Sequence, residues 1–257
     1  MVTFVTADWL AARLDSPEIL LLDPRRPMKY LQGHLKSAVN LPVFRAFGTD
    51  GKLLPPADLA RWLSSAGLGE GKTPVLYDSP EGQNGAMLAW ILAYLGRTDV
   101  HMLEVFYEGW VAEKREVFYK PVEAVPRTFT PRVNPEIRVT LDELRDNTQG
   151  KLIDFRSKEE YAGERDMDGK PGHLPGAVNV VWRDLTGPSH TVLAPREKVE
   201  RLLTSAGVKR DDQIVAYCRS GPRAALGYLA LRQYGYAVRL YDGSYAEWAR
   251  SGLPVEV

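Results

Sequence analysis

The sequence predicts an α/β protein: two tandem α/β/α domains, each with a central, mainly parallel sheet flanked by helices. Two observations carry this. The 257-residue chain repeats itself, and within each copy short apolar runs alternate with amphipathic helical runs. Leu20-Leu21-Leu22-Asp23-Pro24-Arg25, Tyr30 and Gly33-His34-Leu35-Lys36-Ser37-Ala38-Val39-Asn40 stand near the start. Leu152-Ile153-Asp154-Phe155-Arg156, Tyr161 and Gly172-His173-Leu174-Pro175-Gly176-Ala177-Val178-Asn179 stand in the second half. Val75-Leu76-Tyr77-Asp78 then matches Val215-Ala216-Tyr217-Cys218, Gly96 matches Gly235, and Glu104–Trp110 matches Asp242–Trp248. Five blocks in the same order and near-constant spacing are two copies of one domain. The offset grows from Asp23/Asp154 to His34/His173, which marks an eight-residue insertion between Tyr161 and His173.

In the second copy, Leu152–Phe155 reads as a short buried strand. Ser157 is a helix N-cap followed by acidic first-turn residues, which suits the positive end of a helix dipole. Ala177–Val181 reads as the next strand, and Pro195–Ala206 as an amphipathic helix ended by Gly207. Ile214–Tyr217 and Val238–Tyr241 complete the strand set, with a helical run over Ala224–Tyr234 between them. Strands separated by helices give a parallel sheet covered on both faces, with ligands beyond the carboxyl ends of its strands. The expected division is a first domain over 1–118, a linker over 119–138 and a catalytic domain over 139–257. Pro121, Pro126, Pro131 and Pro135 stiffen the linker and keep it out of helices and central strands.

Composition narrows the function. Lys plus Arg and Asp plus Glu both number 33, so no bulk field draws the chain to nucleic acid or a membrane. A single cysteine excludes an internal disulfide and a multi-cysteine zinc site, and the four histidines lack metal spacing. No metal and no cofactor are expected. The N-terminus lacks the basic start and apolar core of a signal peptide, and no apolar run approaches a membrane span of ~20 residues. These features predict a soluble, cytoplasmic protein.

That one cysteine, Cys218, ends the run Ile214–Tyr217 and is followed by Arg219-Ser220-Gly221-Pro222-Arg223 and a helix. A thiol at a strand end faces the unpaired N–H groups of the next helix, where negative charge is favoured. It should be thiolate-rich and nucleophilic. A buried structural thiol would need neither the glycine nor the two arginines. Arg219 and Arg223 are candidates to hold an anionic substrate, Ser220 to donate a hydrogen bond, and Gly221 to let loop N–H groups converge on the sulfur. The first copy has Asp78 at the cysteine's place, with Glu81 and no arginine in its loop. It is expected to be inert and to form a wall of the cleft. His34 and His173 occupy equivalent places in both copies and read as structural, as do the pairs Asp23/Arg25 and Asp154/Arg156.

Taken together, Asp154-Phe155-Arg156 with Tyr161, the Gly172–Asn179 motif, the loop Cys218–Arg223 and Leu240–Trp248 resemble the tandem-domain rhodanese sulfurtransferases over the whole chain. The resemblance implies two rhodanese-like domains and a persulfide on Cys218. That persulfide would carry a sulfane sulfur from a small anionic donor, thiosulfate, to a thiophilic acceptor such as cyanide or a thiol. Family members place a further substrate-binding arginine near the Gly-His motif. Here that motif has Pro175, and Arg165 in the insertion is the candidate, with Lys170 and Arg183 as rivals.

Three other readings compete. 3-Mercaptopyruvate is the first alternative donor: Arg219 favours thiosulfate, whereas Ser220 resembles the mercaptopyruvate branch. A phosphatase of related fold needs arginine six places after the cysteine, where this chain has Ala224. A non-enzymatic persulfide carrier could have the same loop.

Overall fold

A computed structural model describes residues 2–146 and 150–257. Residue 1, the expected start of the first domain, and residues 147–149, inside the expected second one, lie outside them. Contacts divide the chain into two compact units, Met1–Asn134 with Gly187–Val192, and Pro135–Thr186 with Leu193–Val257.

The first unit runs β1 (Thr3–Val5), α1 (Ala7–Ala11), β2 (Ile19–Asp23), α2 (Pro27–Leu31), β3 (Val39–Asn40), α3 (Pro56–Ser65), β4 (Thr73–Leu76), α4 (Gln83–Tyr94), β5 (His101–Leu103) and α5 (Tyr107–Ala112). Its five strands lie in the order β1-β5-β4-β2-β3, all parallel. The second runs α6 (Leu141–Asp146), β6 (Lys151–Asp154), α7 (Lys158–Tyr161), β7 (Val178–Asn179), α8 (Arg196–Ser205), β8 (Gln213–Tyr217), α9 (Pro222–Gln233), β9 (Ala237–Leu240) and α10 (Ser244–Arg250). Its strands lie in the order β7-β6-β8-β9, again all parallel.

Each sheet is buried because its strands are apolar on both faces, as a helix-covered parallel sheet requires. In the second unit Leu152, Val215, Tyr217, Tyr241, Tyr245 and Trp248 share one core cluster. Helix α9 is apolar nearly all round, with eight buried residues from Ala224 to Leu231. It sits against the sheet closely enough that a Cβ added at Gly227 would lie 2.4–2.6 Å from three ring atoms of Phe155. The strand expected over Ala177–Val181 contracts to Val178–Asn179, because its ladder with β6 is two residues long and a 3-10 turn begins at Trp182. Strand β8, flanked by β6 and β9, delivers Cys218 at its carboxyl end.

The polar pairs that recur in both copies are buried struts. The Arg156 guanidinium donates to both Asp154 oxygens at 2.7–3.1 Å and to Gly172 O at 2.7 Å, and lies 3.8 Å from the Tyr245 ring centre. Arg25 repeats this with Asp23 and Gly33 O. His173 stacks on Tyr161 at 3.7 Å and His34 on Tyr30 at 4.0 Å, so both histidines are packed turn residues.

Candidate active site

Cys218 follows β8, and α9 begins four residues later with Pro222 at its first turn. Between them the chain reverses through Gly221 at φ 103°, a value that L side chains rarely adopt. This conformation aims the Gly221 N–H at Cys218 Sγ, 3.2 Å away. Negative charge on the sulfur is therefore met by a backbone donor and by the positive end of a twelve-residue helix. The backbone beneath is fixed by α10. The Cys218 N–H donates to Ser244 Oγ at 3.2 Å, and Tyr245 and Ala246 N–H groups donate to Cys218 O and Arg219 O at 2.9 and 3.0 Å. Ser244 holds this place in a left-handed conformation, φ 56°, with its own hydroxyl donating to Tyr241 O.

The two loop arginines differ from the sequence reading in one respect: neither guanidinium is free. Arg223 donates to both oxygens of Glu160, at 2.6 and 2.9 Å. Glu160 is also the reciprocal member of a capping box, accepting from the Ser157 N–H at 3.1 Å. Burial alone would raise this carboxyl, but the Arg223 hydrogen bonds and charge outweigh it and hold it at about 2. Burial likewise opposes the Arg223 charge, and Glu160 with the nearby Cys218 more than restores it. Arg219 donates to both oxygens of Asp168, at 3.0 and 2.9 Å. Asp168 comes from the eight-residue insertion. The same insertion holds Arg165, exposed and with its charge near Glu159, and Lys170, whose ammonium donates to Leu253 O. Arg183, the other rival, lies 5.0 Å over the Trp182 ring.

Cys218 itself is 1% exposed, and Ser220 is the exposed member of the loop. The thiol is thus covered in this conformation, with the Gly221 N–H directed at the sulfur. Glu160, Asp168 and Ser244 were not singled out from sequence as site residues. The capping-box spacing Ser157–Glu160 and the insertion were the available signals for the first two.

In the first unit a carboxylate occupies the sulfur's position. Asp78 is fully buried and accepts from the Gly85 and Ser79 N–H groups, both at 2.8 Å, and from Asn84 Nδ2 at 3.4 Å. Its carboxylate caps α4 from within.

The cysteine thus stands at the N-terminus of a helix, on the carboxyl edge of a parallel sheet, in a loop that also carries two ion-paired arginines. Residues 6–113 and 139–251 each match the rhodanese-like domain, so the chain belongs to the rhodanese family as a tandem pair. It is 31% identical to the 3-mercaptopyruvate sulfurtransferase of Escherichia coli (strain K12), over 98% of this chain and 97% of that one. It is 29% identical to the thiosulfate sulfurtransferase of Pseudomonas aeruginosa, over 96% and 94%. The crystal structure of SseA from Escherichia coli, described as the rhodanese fold of 3-mercaptopyruvate sulfotransferases, matches with TM-score 0.85 at 28% identity, over 95% of this chain and 99% of that one. The protein is a sulfurtransferase of the rhodanese type. Among the described residues no helix is long and apolar enough to cross a membrane.

Proposed function

We propose that the protein moves a sulfane sulfur from thiosulfate to cyanide or a thiol, through a persulfide on Cys218, in a reducing compartment such as the cytoplasm. The observation that carries this reading is the Gly221 N–H at 3.2 Å from Cys218 Sγ at the start of α9, with Arg219 and Arg223 in the same loop. Cys218 Sγ, as thiolate, attacks the outer sulfur of thiosulfate, whose S–S bond breaks. Sulfite leaves with the electron pair as a dianion, and a cysteine persulfide anion remains. Loop N–H groups and the two guanidinium groups offset the negative charge on the sulfite oxygens and on the terminal sulfur. Ser220, exposed in the loop, donates to the donor. In the second half-reaction cyanide attacks the terminal sulfur, thiocyanate leaves, and the thiolate returns. Asp78 cannot form a persulfide, so the first unit takes no part in bond exchange.

Mass spectrometry after thiosulfate exposure tests this directly. Wild type gains one sulfur, about 32 Da, and Cys218→Ser does not, since the sulfur must sit on the nucleophile. Persulfide formation that survives Cys218→Ser would refute the scheme. The second reading, 3-mercaptopyruvate as donor, draws support from the ion pairs that neutralise Arg219 and Arg223. Thiocyanate release compared between the two donors decides. A much faster mercaptopyruvate reaction transfers the donor assignment to it.

A further inference from the structure

We infer that Asp168 is a specificity-setting residue that competes with the donor anion for Arg219, so the insertion grades sulfur donors by their negative charge. The inference rests on the donor reading above. The insertion is absent from the inert copy, where Tyr30 and His34 lie four residues apart, and in the catalytic copy it separates Tyr161 from His173 by twelve. It is tied down at both sides of the site. The Arg165 N–H donates to Glu159 O at 3.0 Å, the Tyr245 hydroxyl to Lys170 O at 2.5 Å, and the Lys170 ammonium to Leu253 O. Asp168 is set within it by an Asx turn, its N–H donating to Asp166 Oδ1 at 2.9 Å.

The carboxylate so placed is only 10% exposed and grips the residue next to the nucleophile through two parallel hydrogen bonds. A bidentate carboxylate uses the same fork of donors that a sulfonate or sulfite oxygen pair would use. Donor binding at Arg219 therefore means exchanging one anion for another. With Arg223 already matched by Glu160, the loop's two cations are balanced by two carboxylates before any donor arrives. The thiolate then leaves the site net negative. A dianion such as thiosulfate meets this more severely than a monoanion such as mercaptopyruvate, or a neutral reagent. Arg219 is 35% exposed at its side chain, so the effect is screened by salt.

The experiment compares wild type, Asp168→Asn and Asp168→Glu. Cys218 is alkylated with iodoacetate and with iodoacetamide, reagents of similar size and different charge. Removing the carboxylate should raise the iodoacetate-to-iodoacetamide rate ratio about three- to tenfold at low salt and less at high salt. The thiosulfate KM should fall by a similar factor with kcat little changed, and kcat/KM for thiosulfate should rise relative to mercaptopyruvate. Asp168→Glu should stay near wild type. Equal changes in both alkylation rates, or a fall in kcat with KM unmoved, would reduce Asp168 to a structural tie and overturn the inference. Wild type that alkylates but turns over no thiosulfate defeats the donor reading alone, and the rate ratio still decides the role of Asp168. A thiol that takes neither reagent in any of the three proteins overturns both.

Discussion

Burial raises the Asp78 carboxyl to about 6, against the hydrogen bonds from Gly85, Ser79 and Asn84, whereas Arg223 holds Glu160 at about 2. The two groups therefore load stability onto opposite sides of the pH scale. A raised carboxyl favours folding when protonated, so the Asp78 contribution is full below 3.8 and is lost as pH rises through about 6. A lowered carboxyl favours folding when ionised, so the Glu160 contribution is full above 4.5 and is lost as pH falls towards about 2. Hydrogen exchange in α4 should accelerate between pH 4 and 6 by at most about 3 kcal/mol of opening free energy, and Asp78→Asn should flatten that slope. Acid titration of α7 and α9 should show the reverse trend, absent in Glu160→Gln. At this scale the sequence made the strand-end place of Cys218 and the Asp154–Arg156 pair legible, because their partners are near in the chain. It did not show that Arg219 and Arg223 are ion-paired, since their carboxylates come from 51 and 63 residues away. A second consequence is local to Gly221. An alanine there could not hold φ 103° without strain, so the N–H at Sγ would swing away. Gly221→Ala should lower thiocyanate production by about a hundredfold, the usual effect of losing one charge-stabilising donor.

Helix α9 joins two demands: it must present its N-terminus to the sulfur and press flat on the sheet. Alanine is a better helix former than glycine by about 1 kcal/mol, so propensity alone favours Gly227→Ala. Packing reverses the sign. The new methyl would overlap the buried Phe155 ring at 2.4–2.6 Å, and overfilling a tight core costs about 1–3 kcal/mol. Urea denaturation should therefore find Gly227→Ala less stable by about 1–2 kcal/mol, and persulfide formation slower if α9 shifts its N-terminus. Most elements were legible at this level because apolar runs and caps are local signals. The expected strand over Ala177–Val181 shortened because tertiary hydrogen bonds ended its ladder. The Val180 N–H does reach Asp154 O, but the Trp182 N–H turns to Phe155 O as the 3-10 turn starts. The cost of the close approach at Gly227 was invisible, since nothing in a single sequence marks which glycine faces a ring.

For the whole molecule, duplication was the clearest signal, and the two all-parallel sheets follow from it. What the repeat could not reveal is that Gly187–Val192 belongs to the first unit, where the Phe106 N–H donates to His190 O at 2.7 Å and the Val192 N–H to Glu104 O at 2.9 Å. By the repeat the segment corresponds to Gly48–Leu53 of the first copy, where the Gly48 N–H donates to Lys52 O at 2.8 Å as the Gly187 N–H does to Thr191 O at 3.1 Å, so the sequence alone assigns it to the second unit. At the strand end that leads into α4 and α9 the two units carry different groups, a carboxylate in the first and a sulfur in the second. With its own acid side chain already seated on the α4 amides, the first unit has nothing to gain from a dissolved oxyanion, whereas the second does. Ligand that binds only a folded form stabilises it by mass action. Calorimetry in rising sulfite should therefore pull the two copies' melting apart, lifting the transition of the sulfur-bearing half while its twin melts where it did before.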